Sequence, residues 1–120
     1  QTETLIECFV PCCGISTTGW GEHFIRNVVA YDIAAQIIYD SKSIEEASLN
    51  SLDKVMKTGG DGGVIGLDNK GNISMEFNTP GMYRASIDKN GNLTVKIYSD
   101  WFKGLYTFLS LRFVSILFFE

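Results

Sequence analysis

The sequence has few of the residues that several protein classes need. Its 120 residues include two prolines, three cysteines and one histidine, against twelve glycines. Ten Lys and Arg residues face fourteen Asp and Glu residues, giving a net charge of -4, and the basic residues form no cluster. A nucleic-acid groove needs a concentrated positive surface, so we expect no nucleic-acid partner. Because proline is scarce, the tight turns must be built from glycine.

The three cysteines, Cys8, Cys12 and Cys13, lie close together near the start of the chain. An odd count with two adjacent members does not make a disulfide framework. Together with His23 they could supply zinc ligands, but structural zinc sites use two well-separated pairs. We therefore favour structural or incidental thiols and predict neither a metal nor a cofactor. Reduced thiols and the absence of a secretory pattern in the first ten residues predict a cytoplasmic location.

Two helices are expected in the first half of the chain, which has 45% hydrophobic residues overall and can form one packed domain. Residues 22–39 predict a long helix with two apolar rows, buried on more than one side. One row comprises Phe24, Val28, Tyr31, Ala35 and Ile38, and the other Ile25, Val29, Ile33 and Ile37.

The second helix is predicted from its ends. Ser43 and Glu46 form a capping-box pattern at its start, and Gly59-Gly60 follows its last turn. Its predicted buried stripe comprises Leu49, Leu52 and Met56.

The apolar pattern then changes to the period of two that is typical of strands. Strands are predicted near residues 64–67, 73–77, 82–87 and 93–97, in addition to an earlier one over 13–18. Two turns of nearly the same composition, residues 68–72 and 88–92, join them as hairpins with glycine in the left-handed position. The predicted fold class is α+β: an antiparallel sheet covered by two helices on one face, with the other face in need of a cover.

The segment most suggestive of chemistry is Ser-Thr-Thr-Gly-Trp-Gly-Glu over residues 16–22. It lies where a strand leads into a helix, so free N–H groups and a threonine hydroxyl could bind an anion or an oxyanion. The alternative is an ordinary strand-to-helix turn. The glycine-rich residues 59–63 favour a helix end rather than a phosphate loop, because no Lys-Ser/Thr follows them. We expect His23 on the helix surface.

Residues 16–26, Ser-Thr-Thr-Gly-Trp-Gly-Glu-His-Phe-Ile-Arg, resemble the S-x-T-G-x-G-E-x-F-I-R stretch of plant-type L-asparaginases, also called isoaspartyl peptidases. Further matches lie at residues 30–35, 59–65 and 77–85. The resemblance spans about residues 13–100 and corresponds to the C-terminal part of the family's β subunit.

The resemblance implies a partial N-terminal-nucleophile hydrolase sandwich with αββα layers. In this family a threonine at the start of the β subunit attacks the side-chain amide of L-asparagine or an isoaspartyl peptide bond. By position, the Thr18 hydroxyl and the Gly19 N–H would form the oxyanion hole, and Gly21 would help to hold the amino end of the small-molecule substrate.

Other parts of the family pattern have no counterpart in this sequence. Residues 1–12 are unmatched and lack the G-T-V-G-A-V-A-like string around the nucleophile, and no G-R-x-G-D-like segment is present to grip the substrate. We therefore expect this polypeptide to be inactive alone, without the α subunit and the first part of the β subunit. Whether it is an enzyme stays open, because a non-catalytic remnant or structural domain is the alternative.

Residues 101–120 form a hydrophobic extension. Arg112 interrupts its apolar run, which makes a membrane anchor marginal. We favour an extension foreign to the family, because the composition changes sharply after Asp100. The alternatives are a segment packed on the domain and membrane attachment.

Overall fold

The structure, a computed structural model, describes residues 8–10 and 12–99. Its elements in chain order are β1 (Cys8–Val10), β2 (Cys13–Gly19), α1 (Gly21–Arg26), α2 (Val29–Asp40), α3 (Ile44–Lys57), β3 (Gly62–Asp68), β4 (Ile73–Phe77), β5 (Gly81–Ile87) and β6 (Leu93–Tyr98). The predicted mixture of helices and antiparallel strands is confirmed. The extension over 101–120 lies outside the described residues. In the described part of the chain, no helix has the length and apolarity to cross a membrane.

The strands form two antiparallel groups rather than a single sheet. One sheet has the order β1-β2-β3-β4, and β5 and β6 form a separate hairpin. β1, which the sequence analysis did not predict, pairs with β2 so that Val10 lies opposite Cys13. The β2–β3 pairing runs from Cys13 opposite Asp68 to Gly19 opposite Gly62.

The two predicted hairpin turns have the same hydrogen bonds. The Asp68 Oδ1 accepts from the backbone N–H groups of Lys70 and Asn72 at 2.9 and 2.8 Å, and Asp88 repeats the pattern at residues 90 and 92. Gly71 and Gly91 have φ values of 88° and 82°, so the predicted left-handed glycines are confirmed. Slight burial of Asp68 opposes the shift, but the hydrogen bonds from Asn72 hold its pKa below the ordinary 3.8.

The predicted long helix over residues 22–39 is wrong. It is two helices, because Val28 adopts the left-handed conformation with φ 48° and separates α1 from α2. The break rotates α2 relative to an unbroken helix, so different side chains of the two predicted rows face the core. Val28 and Tyr31 are each 58% exposed, whereas Val29 and Ile33 are in the core. The first predicted row therefore faces outward from Val28 onward, and the second supplies most of the packing of α2.

The third helix begins as predicted, but its buried stripe is different. The Ser43 Oγ accepts from the Glu46 N–H at 3.1 Å. Leu49 and Met56 are exposed and only Leu52 of the predicted stripe is buried. The observed buried face also comprises Ile44, Ala47, Ser48, Ser51 and Val55. Three of these six buried side chains are small, which lets α3 lie close to α2 and the sheet.

A polar network joins α2 to α3. The Lys54 Nζ lies 2.7 and 2.8 Å from the two Asp32 carboxylate oxygens, and the buried Ser51 hydroxyl donates to the same carboxylate at 2.6 Å. Gln36 donates to Asp32 and to Ser51. The polar groups of this network are thus hydrogen-bonded to one another, which fixes how the two helices face each other.

The two faces of the four-stranded sheet have different environments. Cys13, Ile15 and Thr17 of β2 are buried on the helix side. A Cβ added to Gly66 would lie 2.8 Å from the Ile44 Cδ1, so α3 packs directly on β3. On the opposite face Ile65 is 46% exposed. In the described part of the chain, the helices thus pack on one face of this sheet, and its other face carries exposed apolar side chains.

Candidate functional site

The candidate site lies where β2 ends. Strand alternation separates two adjacent threonines: Thr17 is 2% exposed among the helices, whereas Thr18 is exposed on the other side. Gly19 follows in the last position of β2, and Trp20 precedes the first residue of α1. Of the two hydroxyls that the sequence offered, the fold therefore presents only the Thr18 hydroxyl to an open surface.

Gly19 is held against the loop that precedes β3. Its φ of 130° lies in the range that favours glycine, and a Cβ there would approach the Asp61 carbonyl oxygen and come within 2.6 Å of the Gly62 Cα. The Trp20 N–H donates to the Asp61 carbonyl at 3.1 Å. Only glycine permits this close crossing, which explains the glycines at both positions.

Asn78 holds the other side of the site, and the sequence analysis did not assign it a role. Its side-chain oxygen accepts from the Gly62 N–H at 2.7 Å, and its amide donates to the Gly60 carbonyl at 3.3 Å. The Asn78 N–H donates to the Gly62 carbonyl at 3.0 Å. Asn78 thus clamps the glycine loop that supports Gly19. Its only sequence signal was its place in the matching segment 77–85.

A cleft of about 390 Å³ opens in front of Thr18 and Gly19. It is lined by Thr18, Gly19, Trp20, Asp61, Gly62, Gly63, Thr79, Gly81, Met82 and Tyr83. The hairpin β5–β6 forms one wall: Met82 is buried against Gly63, and Tyr83 is 69% exposed. A larger, polar groove lies at the Asp68–Asn72 turn, and none of the predicted site residues lines it.

The third predicted site residue, Gly21, is placed differently. It is buried at the first position of α1 and is not among the described residues that line the cleft. Because α1 has only six residues, its aligned dipoles add little to anion binding. The structure therefore brings Thr18 and Gly19 together at the cleft and places Gly21 behind them.

His23 is not the surface residue that the sequence predicted. The His23 side chain is 8% exposed, and its Nδ1 lies 3.3 Å from the Thr58 Oγ1. A Cβ added to Gly60 would lie 2.5 Å from the Cβ of His23. His23 thus contacts the C-terminal end of α3, where Thr58 follows the last helical residue. The ring therefore supports the glycine loop from behind.

Strand β2 also separates His23 from Cys13. Cys13 begins β2, and α1 follows its other end, a strand length of roughly 20 Å at about 3.3 Å per residue. In the described part of the chain, no three His, Cys, Asp or Glu residues are grouped to hold a metal ion.

A family model described as asparaginase matches residues 10–97. The isoaspartyl peptidase of Escherichia coli K12 is 49% identical over 72 residues, which cover 59% of this chain and 22% of that protein. The isoaspartyl peptidase of Salmonella typhimurium LT2 is 46% identical over 72 residues, which cover 59% of this chain and 23% of that protein. A Dictyostelium discoideum protein, whose name pairs isoaspartyl peptidase with L-asparaginase, is 45% identical over 92 residues, which cover 70% of this chain and 27% of that protein. The chain thus spans about a quarter of the length of these curated relatives.

Proposed function

The chain belongs to the asparaginase family, and on that premise we propose that it forms the oxyanion-binding part of an amidohydrolase. The substrate is the side-chain amide of L-asparagine or an isoaspartyl peptide bond. The Thr18 hydroxyl and the Gly19 N–H donate to the oxyanion. The exposure of Thr18 beside Gly19 at the cleft carries this proposal.

The chemistry depends on donors that are in place before charge develops. When a nucleophile attacks the amide carbon, the carbonyl oxygen becomes negative, and fixed donors stabilise that charge without reorganisation. Asn78 fixes the backbone of Gly60 and Gly62 by hydrogen bonds, and the Asp61 carbonyl between them accepts from the N–H of Trp20, the residue after Gly19. The second donor, Thr18, is fixed by the pairing of β2 with β3 opposite Gly63.

The nucleophile comes from outside the matching region. The family resemblance implies a threonine whose own α-amino group acts as the base. We propose that the 120-residue polypeptide is inactive alone, and that an α subunit and the preceding part of a β subunit supply the nucleophile and the groups that grip the substrate. We also propose a cytoplasmic location, which the thiols of Cys12 and Cys13 support.

A chimera tests the role of this segment. The matched region of the Escherichia coli isoaspartyl peptidase is replaced by the corresponding residues of this chain, and aspartate release from an isoaspartyl dipeptide is measured. The chimera should release aspartate, and Thr18→Ala should lower its kcat by about 10²–10³-fold. Ser16→Ala, two positions earlier on the same face of β2, is the matched control and should retain the activity.

Two results would contradict the proposal. If the Thr18→Ala chimera has the same kcat as its parent, Thr18 is not an oxyanion donor. Aspartate release by the isolated 120-residue chain would show that it carries its own nucleophile. Circular dichroism of each chimera shows whether a loss of activity reflects a loss of fold.

A further inference from the structure

Cys12 and Cys13 hold their thiols side by side, with 3.4 Å between the two Sγ atoms. Neighbouring residues in a regular strand point to opposite faces, which keeps adjacent thiols apart. Here Cys12 lies in the turn before β2, and Cys13 is the first residue of that strand. The turn directs Cys12 back onto the core, where its Sγ lies 4.0 Å from the Ala34 carbonyl oxygen.

The two thiols differ in their access to solvent. Cys13 is 5% exposed and belongs to the core, whereas Cys12 is half-buried at its edge. A solvent-borne oxidant can therefore reach the outer thiol first. The inner thiol is already in position to react with the product, which is the arrangement of a sensing cysteine beside a resolving cysteine.

We propose that Cys12 and Cys13 form a reversible oxidation site that closes to a disulfide between adjacent residues. Hydrogen peroxide oxidises the Cys12 thiol to a sulfenic acid, and the O–O bond of the peroxide breaks as one water leaves. The Cys13 sulfur then attacks the Cys12 sulfur, and the S–O bond breaks to release a second water. The two thiols lose two protons and two electrons in total, and hydrogen peroxide is reduced to two waters.

Such a disulfide is easily reduced again. Consecutive Cα atoms are about 3.8 Å apart, closer than the roughly 4.4–6.8 Å of ordinary disulfides. The bond is therefore strained, and strained disulfides are the labile, regulatory ones. This reversibility suits a reducing compartment, where disulfides are transient.

Formation of the Cys12–Cys13 disulfide also affects the neighbouring 68–72 turn. The Cys12 carbonyl accepts from the Asn69 N–H at 3.0 Å, and Cys13 lies opposite Asp68 in the β2–β3 register. A disulfide ring that contains the Cys12–Cys13 peptide must rotate this carbonyl. Oxidation should therefore loosen the 68–72 turn and speed the hydrogen exchange of the Asn69 amide.

The test uses the full chain in its Cys8→Ser variant, which leaves only the two proposed thiols. After treatment with hydrogen peroxide and alkylation of free thiols, mass spectrometry should show the loss of two hydrogen atoms and no alkylation. Dithiothreitol should restore both thiols. Oxygen addition without hydrogen loss, or dimers linked between chains, would overturn the proposal.

The wild-type chain supplies a second measurement. Cys12→Ser should abolish the hydrogen loss within one chain. Persistence of that loss in Cys12→Ser would show that Cys8 and Cys13 are the reacting pair. Phenylarsine oxide, which bridges two nearby thiols, should bind the wild-type chain in a one-to-one ratio before any oxidation. Failure to bind would show that the thiols do not meet in solution and would overturn the proposal, and this measurement needs no serine variant to fold.

Discussion

Gly19 and Gly62 lie directly opposite each other on β2 and β3, so close that a Cβ on Gly19 would lie 2.6 Å from the Gly62 Cα. The close approach of the two strands places Gly19, a proposed oxyanion donor, at the end of β2, where it lines the open cleft. The reciprocal substitution is also blocked, because a Cβ on Gly62 would meet the Thr18 carbonyl and lie 2.8 Å from the ring of Phe24. The site therefore requires glycine at both positions as well as the Thr18 hydroxyl.

Gly19→Ala should lower the free energy of unfolding by about 2 kcal/mol or more, because strained backbone and backbone collision act together. Gly14→Ala is the matched control on the same strand, where a Cβ meets nothing within 4 Å. That variant should stay within about 0.5 kcal/mol of the parent. Urea unfolding measures both. Equal stability of the two variants would mean that the β2–β3 crossing is wider than the structure shows.

Val28→Gly should stabilise the chain by about 0.5–1 kcal/mol. A left-handed conformation costs an L-residue about 1–2 kcal/mol, and the extra freedom of glycine in the unfolded chain returns part of that gain. Little packing is lost because Val28 is 58% exposed. Val29→Gly, one residue later and 2% exposed, should destabilise. Thermal unfolding compares the two variants, and destabilisation by Val28→Gly would show that its side chain is needed.

Glu76→Gln should stabilise the chain at neutral pH. Burial, and then the nearby Glu45 carboxylate, raise the pKa of Glu76 above the ordinary 4.5, although Arg84 opposes the shift. A raised carboxyl pKa means that ionisation favours the unfolded chain, so the cost is present above the raised pKa. This cost falls as the pH decreases from the raised pKa towards 4.5, and it is gone well below 4.5, where both states are protonated.

Unfolding measured at about pH 7 and at about pH 4, below the ordinary pKa of 4.5, separates this effect from a simple packing change. The stabilisation by Glu76→Gln should be lost at the lower pH. Glu46→Gln removes an exposed carboxyl that lies 3.8 Å from the Lys42 Nζ, and it should change stability little. An equal gain from Glu76→Gln at both values would rule out ionisation as the cause.

Local signals in the sequence predicted the local structure well. The Ser43 cap and the turn glycines Gly71 and Gly91 are where the sequence indicates. In each case the partner is only a few residues away, so neighbouring residues suffice to specify the conformation. The prediction of the buried helical rows was wrong from Val28 onward, because periodicity assumes an unbroken helix. A single left-handed residue changes which side chains face the core.

The sequence by itself determined the mixture of helices and antiparallel strands, the two hairpin turns and the motif over residues 16–22. Only the tertiary structure decided that Thr18 and not Thr17 faces the cleft, that His23 is buried, and that Asn78 clamps the glycine loop. These outcomes arise from contacts between residues far apart in the chain. Burial is a property of what packs against a side chain, and residue type and spacing alone do not specify that partner.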